Sequence, residues 1–469
     1  MQLAPQWAAF KRAARHEDLF VFVSRGLVYV GMFFLTLLKF KASKGLNVSD
    51  AIFLVAAVLL LLSRRPPPRA PATPAWYVGA FIFLLSGVVA STQADSVGGS
   101  LLVVVNGVYL LFILQFLLRQ QLNNTLRLQR AIGAFVFGTT LSGLVAILQI
   151  DFHLFLPVGN LAAGGTIGGN SRAIGLSTQP NLLGVALALG IVFAVGLLFE
   201  LNKRKHWYLG ACVAVMVAAL LLSGSVSGEA TTILGLLVLF VARGAPLKTV
   251  ALVALSLAAV YVLVFGVIDR GSHLDPITRI EKTLNSSGGS NTGTFQLRID
   301  TIKTAWSGIV EKPIVGHGLD QKTLAVFFDK YIYVYYPPHN VIILYWFGGG
   351  IFMLLSLFIM MGSSFNRLLS GRRMRGENRD PMRAVVFAAC VASLFYSLQG
   401  PELVDRWMWV PFILAFCFRD PARPPAASAS EIELPVSAPD LPAVTAGNGG
   451  PRRMRGTVGR HAAPAREPS

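Results

Sequence analysis

Apolar runs of about one bilayer's length recur along the chain between short polar segments, and twelve can be marked. They fall at Leu19–Leu38, Val48–Ser63, Ala75–Ser91, Val97–Leu118, Ala131–Ile150 and Pro180–Phe199, then at Trp207–Ser223, Glu229–Ala242, Thr249–Ile268, His339–Met361, Arg383–Gln399 and Arg406–Phe418. About twenty apolar residues in a helix cross a ~30 Å hydrocarbon layer. The pattern therefore predicts an all-α, polytopic integral membrane protein with about 12 transmembrane helices, the second, eighth and twelfth being short. The first run has no small-residue cleavage site and is expected to stay as a span. Between runs nine and ten, Phe295, Ile299, Ile302, Trp306 and Ile309 recur at steps of three and four. That spacing predicts a short amphipathic helix inside a large external loop.

Composition agrees: 54% of residues are hydrophobic and only 14% charged, with a mean hydropathy of +0.59, far from a soluble core. Lys and Arg stay on the cytoplasmic side of a membrane. With twelve spans, Lys11/Arg12/Arg15, Arg64/Arg65/Arg69, Arg119/Arg127/Arg130, Lys203–Lys205, Arg243/Lys248 and Arg367–Arg383 share one side. The opposite loops Thr92–Ser96 and Gly224–Gly228 carry neither Lys nor Arg, while Lys39, Lys41 and Lys44 are an exception expected to snorkel at headgroups. Both termini are then cytoplasmic, and segments 151–179 and 269–338 lie outside. The net charge of +18 reads as a topology signal with membrane lipids as partners. Nucleic acid is not expected, since no basic stripe is interleaved with aromatics. Residues 1–420 form the membrane domain. After them, 421–469 are rich in Pro, Ala, Ser and Gly and are expected to be a disordered cytoplasmic tail.

Chemistry has to be sought in the external segments. Cys212, Cys390 and Cys417 all fall within apolar runs without a partner at metal-ligand spacing, and read as small buried hydrophobes. No metal site is expected. Gly164, Gly165, Gly168 and Gly169 closely precede Arg172, and Pro180-Asn181 opens the next run. Arg172 can bind a lipid headgroup, or its planar fork can hold a pyrophosphate. Arg298 lies at the edge of the predicted amphipathic stripe, either solvated at the interface or reaching inward. His317, between Gly316 and Gly318, reads as structural or exposed.

His339 closes the polar stretch and opens an apolar run, so it should be both wet and held at a rigid helix end. Its setting is Tyr335-Tyr336-Pro337-Pro338-His339-Asn340. Pro337 and Pro338 stiffen the entry, Asn340 can cap the following helix, and Asn340, Tyr335 and Tyr336 can position an acceptor or the imidazole. Alone, His339 would be a helix-capping or interfacial histidine. Beside two permanent cations on the same side it suits one reaction class. Arg172 and Arg298 would stabilise a pyrophosphate leaving group, and His339 would take the proton of an attacking hydroxyl.

The ordered set Arg-x-x-Gly, Pro-Asn-Leu-Leu-Gly, Arg298 eight residues before Trp306, Pro313, Gly316, Gly318 and Pro-His-Asn-x-x-Leu resembles the O-antigen ligase and O-antigen polymerase superfamily, over roughly Asp151–Met361. The resemblance implies an undecaprenyl-pyrophosphate-linked glycan donor, a lipid A–core acceptor and inverting, metal-independent transfer without a cofactor. It places the reaction at the periplasmic face of a Gram-negative inner membrane. By position, Arg172 and Arg298 match pyrophosphate-contacting arginines and His339 matches the proposed general base. One departure stands out: Val226, in Ser223-Gly224-Ser225-Val226-Ser227-Gly228-Glu229, occupies a place where relatives often have arginine. Glu229 either orients a basic group or favours its helix N-terminus. A polymerase of the same superfamily and, from another class, a lipid-linked sugar transporter are the competing readings. A transporter would be expected to carry charges deep in its spans.

Overall fold

The computed structural model describes residues 18–43, 46–63, 74–151, 165–167, 170–200, 206–267, 294–329, 334–370, 380–400 and 403–418. The expected tail lies outside these residues. Regular structure in them is helical apart from three short antiparallel hairpins, β1 (Lys41–Ser43) with β2 (Leu46–Asn47), β3 (Gly165–Ile167) with β4 (Asn170–Arg172), and β5 (Phe327–Asp329) with β6 (Val334–Tyr336). Helices α1 (Leu19–Phe34), α2 (Val48–Leu61), α3 (Pro74–Ser91), α4 (Val97–Gln121), α5 (Thr125–Asp151), α6 (Pro180–Leu198), α7 (His206–Ser223), α8 (Val226–Arg243) and α9 (Leu247–Gly266) fill the first nine apolar runs. An external helix α10 (Thr294–Glu311) and a single turn α11 (Gln321–Leu324) precede α12 (Val341–Ser370), α13 (Met382–Ser397) and α14 (Arg406–Cys417).

Eight of these, α3 to α9 and α12, are long and apolar enough to cross a membrane, while α1, α2, α13 and α14 are shorter apolar helices at four of the twelve expected positions. The eighth run, expected to be short, is not. Ser225 accepts a hydrogen bond from the Gly228 N–H and starts α8 early, and Gly244 ends it at a positive φ of 63°.

Burial follows the hydrophobic pattern. The helix α6 is apolar all round, as a fully enclosed helix should be, and is buried almost throughout. It packs on α5, α7, α8 and α13, through close approaches that glycines permit. A Cβ at Gly184 would meet Ser225 at 2.4 Å, and one at Gly196 would meet Val385 at 2.5 Å. By contrast, residues 247–261 of α9 bury none of their side chains. The three cysteines are buried, as expected.

Loops gather at two ends. At the first, Lys39 N–H donates to Leu176 O, Asp50 pairs with Arg406 at 2.8 Å, Asn340 reaches Leu398 O and Asp95 N–H donates to Thr323. At the second, Thr125 bonds Asp380, Arg243 pairs with Glu200 and bonds Pro381 O, and Arg367 bonds Phe418 O. Among the described residues, the helix ends beside the Lys/Arg-poor loop 92–96 thus share one end with the start of α12, and those at Thr125, Glu200, Arg243, Arg367 and Asp380, beside basic loops, share the other, in keeping with the charge alternation there.

An apolar run alone does not foretell the interruption of α12. At Gly350 the backbone leaves the helix, with φ 72° and ψ −175°. Unpaired backbone groups within hydrocarbon are costly, and a broken span is tolerated where neighbouring protein satisfies them. Residues Pro313–Gly318 do so. His317 N–H donates to Phe347 O at 2.9 Å, Gly318 N–H to Gly348 O at 2.9 Å, and Ile351 N–H to Pro313 O at 3.0 Å. Gly316, at φ 73°, packs so closely that a Cβ would lie 2.5 Å from Gly348 O.

Two outcomes are expected. Gly350→Ala should destabilise the protein, because a Cβ there would sit 1.9 Å from Ile314 O at a glycine-only conformation, a strain of about 1–3 kcal/mol before the clash is counted. Gly362→Ala, in open space on the same helix, should be neutral or slightly stabilising. Thermal unfolding in detergent separates them, and equal midpoints would refute the account. Single cysteines replacing Gln93 or Lys322 should react with a membrane-impermeant thiol reagent from one face of sealed vesicles, and one replacing Lys248 only from the other. Labelling of all three from one face would overturn the two-ended arrangement.

Candidate active site at the non-basic end

The base of the site is the stretch from β6 into α12. Pro337 and Pro338 carry the chain out of β6, and Asn340 receives the new helix, its Oδ1 accepting from Ile342 N–H at 3.0 Å and Ile343 N–H at 3.2 Å. This is the cap expected from sequence. The same amide donates from Nδ2 to Leu398 O at 3.2 Å, tying the α12 start to the end of α13.

His339 sits between these anchors. Its Nδ1 lies 3.0 Å from Pro337 O. A carbonyl can only accept, so Nδ1 carries the proton, and in the neutral ring Nε2 keeps a bare lone pair. Burial, chiefly, lowers its pKa from 6.5 to about 4; the charge of Arg298 adds to this and the Pro337 bond opposes it. The structure corrects the expectation of a wet histidine: the ring is held but largely withdrawn from water. The Tyr336 ring centroid lies 6.2 Å away. Tyr335 belongs to β6, and its side chain lies outside the described residues.

Arg298 comes to His339 on α10, which packs against α12. Its inner face differs from the expected stripe. Thr301, Ala305 and Ile309 are buried, whereas Trp306 is 49% exposed and meets Trp346 in a T-shaped ring contact. The buried series 301, 305, 309 extends back to residue 298, so Arg298 lies in line with the inner face and not at its edge. Burial lowers its pKa, and Tyr396 on α13 acts on it electrostatically in the opposite sense. Tyr396 was not foreseen; ninety-eight residues separate it from Arg298, and no local motif marks it. His317, read as structural or exposed, is structural: its Nε2 lies 2.8 Å from Gly308 O and its ring stacks on Phe347 at 4.6 Å.

Arg172 is anchored instead on the turn between α7 and α8. Its Nε donates to Ser223 O at 2.8 Å, and its Nη2 to Asn181 Oδ1 at 2.9 Å and Gly224 O at 3.1 Å. A cation does therefore stand against the Ser223–Gly228 turn, supplied by residue 172 and not by residue 226. Three of the five guanidinium donors are thereby committed to protein, a structural duty not evident in sequence. Glu229 falls in the first turn of α8, where a carboxylate suits the helix dipole.

Residues 211–358 match the family described as O-Antigen ligase. The chain is thereby similar to the O-antigen ligase and polymerase superfamily over a segment that contains Arg298 and His339 but not Arg172. No curated protein matches the chain.

Because Arg172 ties β4 to the α7–α8 turn, Arg172→Ala should lower stability by roughly 1.5–3 kcal/mol, the range for hydrogen bonds to charged groups. Arg172→Lys should recover only part of it, since an ammonium lacks the planar fork. Chemical denaturation of the purified variants measures this; an unchanged midpoint for the alanine variant would remove the anchoring role.

Proposed function

We propose that this multi-pass membrane protein, whose residues 211–358 carry the O-antigen ligase match, transfers a glycan from undecaprenyl pyrophosphate to a hydroxyl of lipid A–core. The reaction takes place at the end of the bundle away from the basic loops, which by charge asymmetry is the periplasmic end of an inner-membrane protein with both termini cytoplasmic. One observation carries the reading: a half-buried guanidinium, Arg298, stands close enough to His339 to act on its titration, while the bare Nε2 of His339 takes no hydrogen bond among the described residues.

In the reaction, Arg298 holds the diphosphate and offsets the charge that develops as it leaves. Nε2 of His339 takes the proton of the acceptor hydroxyl while its oxygen attacks the anomeric carbon. The carbon–oxygen bond to pyrophosphate breaks on the opposite face, its electron pair leaving with the phosphate, and the configuration inverts. Asn340 fixes the height of His339 on the helix end, and Tyr336, with Tyr335, helps orient the acceptor. Arg172 adds positive charge at the α7–α8 turn. Neither a metal nor a cofactor enters the chemistry.

The lowered pKa gives the mechanism a built-in order. Before donor binds, burial chiefly, with the Arg298 charge adding to it, opposes protonation of His339 and leaves it a weak base. A bound pyrophosphate cancels that charge, so the imidazole pKa rises and the base strengthens once the leaving group is in place. The sign is specific: His339 is active when neutral, so the rate falls as pH drops through its pKa.

The acid limb of kcat/KM for the donor, which reports free enzyme, is expected at about 4, and that of kcat at a higher pH. Arg298→Ala should move the free-enzyme limb toward 6.5, and His339→Ala and His339→Asn should each lose about 10²–10⁴-fold in rate while still binding donor. Purified protein given lipid-linked glycan, with either lipid A–core or further donor and with a chelator throughout, reads all of this. Growth of donor-only polymer would favour the polymerase reading, and near-normal transfer by His339→Asn would make the residue structural.

A further inference from the structure

A cavity of roughly 790 Å³ opens at the same end of the bundle, walled in part by Pro337, the residue whose carbonyl holds the His339 ring. Leu344 and Leu403 give it aliphatic surface, and Asp95, Asp405, Gln321 and Lys322 give it polar groups. A second cavity, roughly 320 Å³, lies against Ile314, Leu85 and Phe352 and has a single hydroxyl, Ser86, among its lining side chains. The two invite different ligands. A hydrocarbon chain has no use for carboxylates or an amide, and suits the smaller groove, where Leu85 and Phe352 are themselves exposed. A sugar presents C–H faces to aliphatic walls and hydroxyls to carboxylates and amides, and suits the larger one.

We propose that the larger cavity is a saccharide subsite that seats the acceptor glycan and selects a neutral sugar there. The proposal rests on the transferase reading above. Asp405 supplies the main polar contact. It occupies the N-cap position of α14, yet its side chain makes no capping bond, and among the described residues its carboxylate takes no hydrogen bond. The Asp95 carboxylate pairs with Lys322 at 3.8 Å, with both side chains exposed; such a pair is weak and gives way to a sugar hydroxyl. Two carboxylates against one ammonium make the cavity unfavourable to a phosphorylated sugar. The substrates are thus sorted by charge: the diphosphate of the donor goes to Arg298, and the neutral acceptor goes to the carboxylates beside Pro337.

The test uses full-length protein in detergent with Asp405→Asn, which removes charge but keeps shape, and Val103→Phe, which narrows the cavity. Asp405→Asn should raise the KM for the lipid-linked acceptor about ten- to a hundredfold, as for a lost hydrogen bond to a charged group, with kcat and donor KM within about threefold of wild type. Val103→Phe should act in the same direction, with thermal midpoints checking that both variants fold.

Oligosaccharide released by mild acid from the acceptor glycolipid should compete in wild type and not in Asp405→Asn; competition by the acyl portion alone would make this a lipid cavity and overturn the proposal. An unchanged acceptor KM in both variants would overturn it too, leaving the transferase reading intact. Should wild type make no product at all, that reading falls by itself. Saturation-transfer NMR with the released oligosaccharide then decides the subsite: signal lost in Asp405→Asn supports it, and equal signal in both proteins overturns it.

Discussion

Every backbone polar group within hydrocarbon must find a partner inside the protein, and the broken helix α12 is where this constraint shapes the molecule. Its interruption at Gly350 is met by the turn Pro313–Gly318 through hydrogen bonds to residues 347, 348 and 351. That turn directly follows α10, which carries Arg298, and the upper piece of α12 directly follows His339. The register between cation and base is therefore set by backbone pairing, reinforced where Trp346 Nε1 donates to Pro313 O at 3.0 Å. The same pairing holds the loop after α3, since Gly318 packs against Ala94 and Leu319 N–H donates to Ser100.

Electrostatics then works on a frame that cannot easily relax. Burial withdraws His339 from water and disfavours its charged form, and Arg298 pushes the same way. A histidine on a loose loop would turn away from the guanidinium. Here the Pro337 carbonyl on one side and the Asn340 cap on the other keep the ring in place. The cost of facing a neighbouring cation is borne by a segment stabilised elsewhere, as strain at functional sites commonly is. The cavity beside Pro337 has the opposite charge balance, with Asp95 and Asp405 against Lys322.

Much of the architecture was legible because lipid imposes simple rules. Apolar run length marked twelve helix positions, eight of them long enough to span, and among the described residues the sorting of Lys and Arg agrees with the two loop clusters. Local chemistry was also readable: Asn340 three residues before a helical N–H is a cap, and three buried cysteines are what isolated cysteines in apolar runs become. Long-range partnerships were not. The bonds from Arg172 to Ser223 and Gly224 span some fifty residues. The inner face of α10 is turned from its apolar stripe because α10 packs through the small residues Thr301 and Ala305 and leaves Trp306 at the edge. The break in α12 did have a signal, the run Gly348-Gly349-Gly350 within an apolar segment, but only the turn that fills it shows what the glycines are for.

The broken helix also bears on how residues of this protein can be assigned roles by genetics. Gly316, Gly318 and Gly350 touch no reacting group, yet each has a positive φ and a backbone or side-chain neighbour where a Cβ would stand. On the proposed mechanism, a substitution at any of them would shift Arg298 relative to His339 and lower turnover much as loss of either would. A survey scored by the product of the proposed reaction alone would place scaffold glycines and the proposed chemical groups in one undivided class of essential positions. Only a separate measure of protein abundance and fold would divide that class.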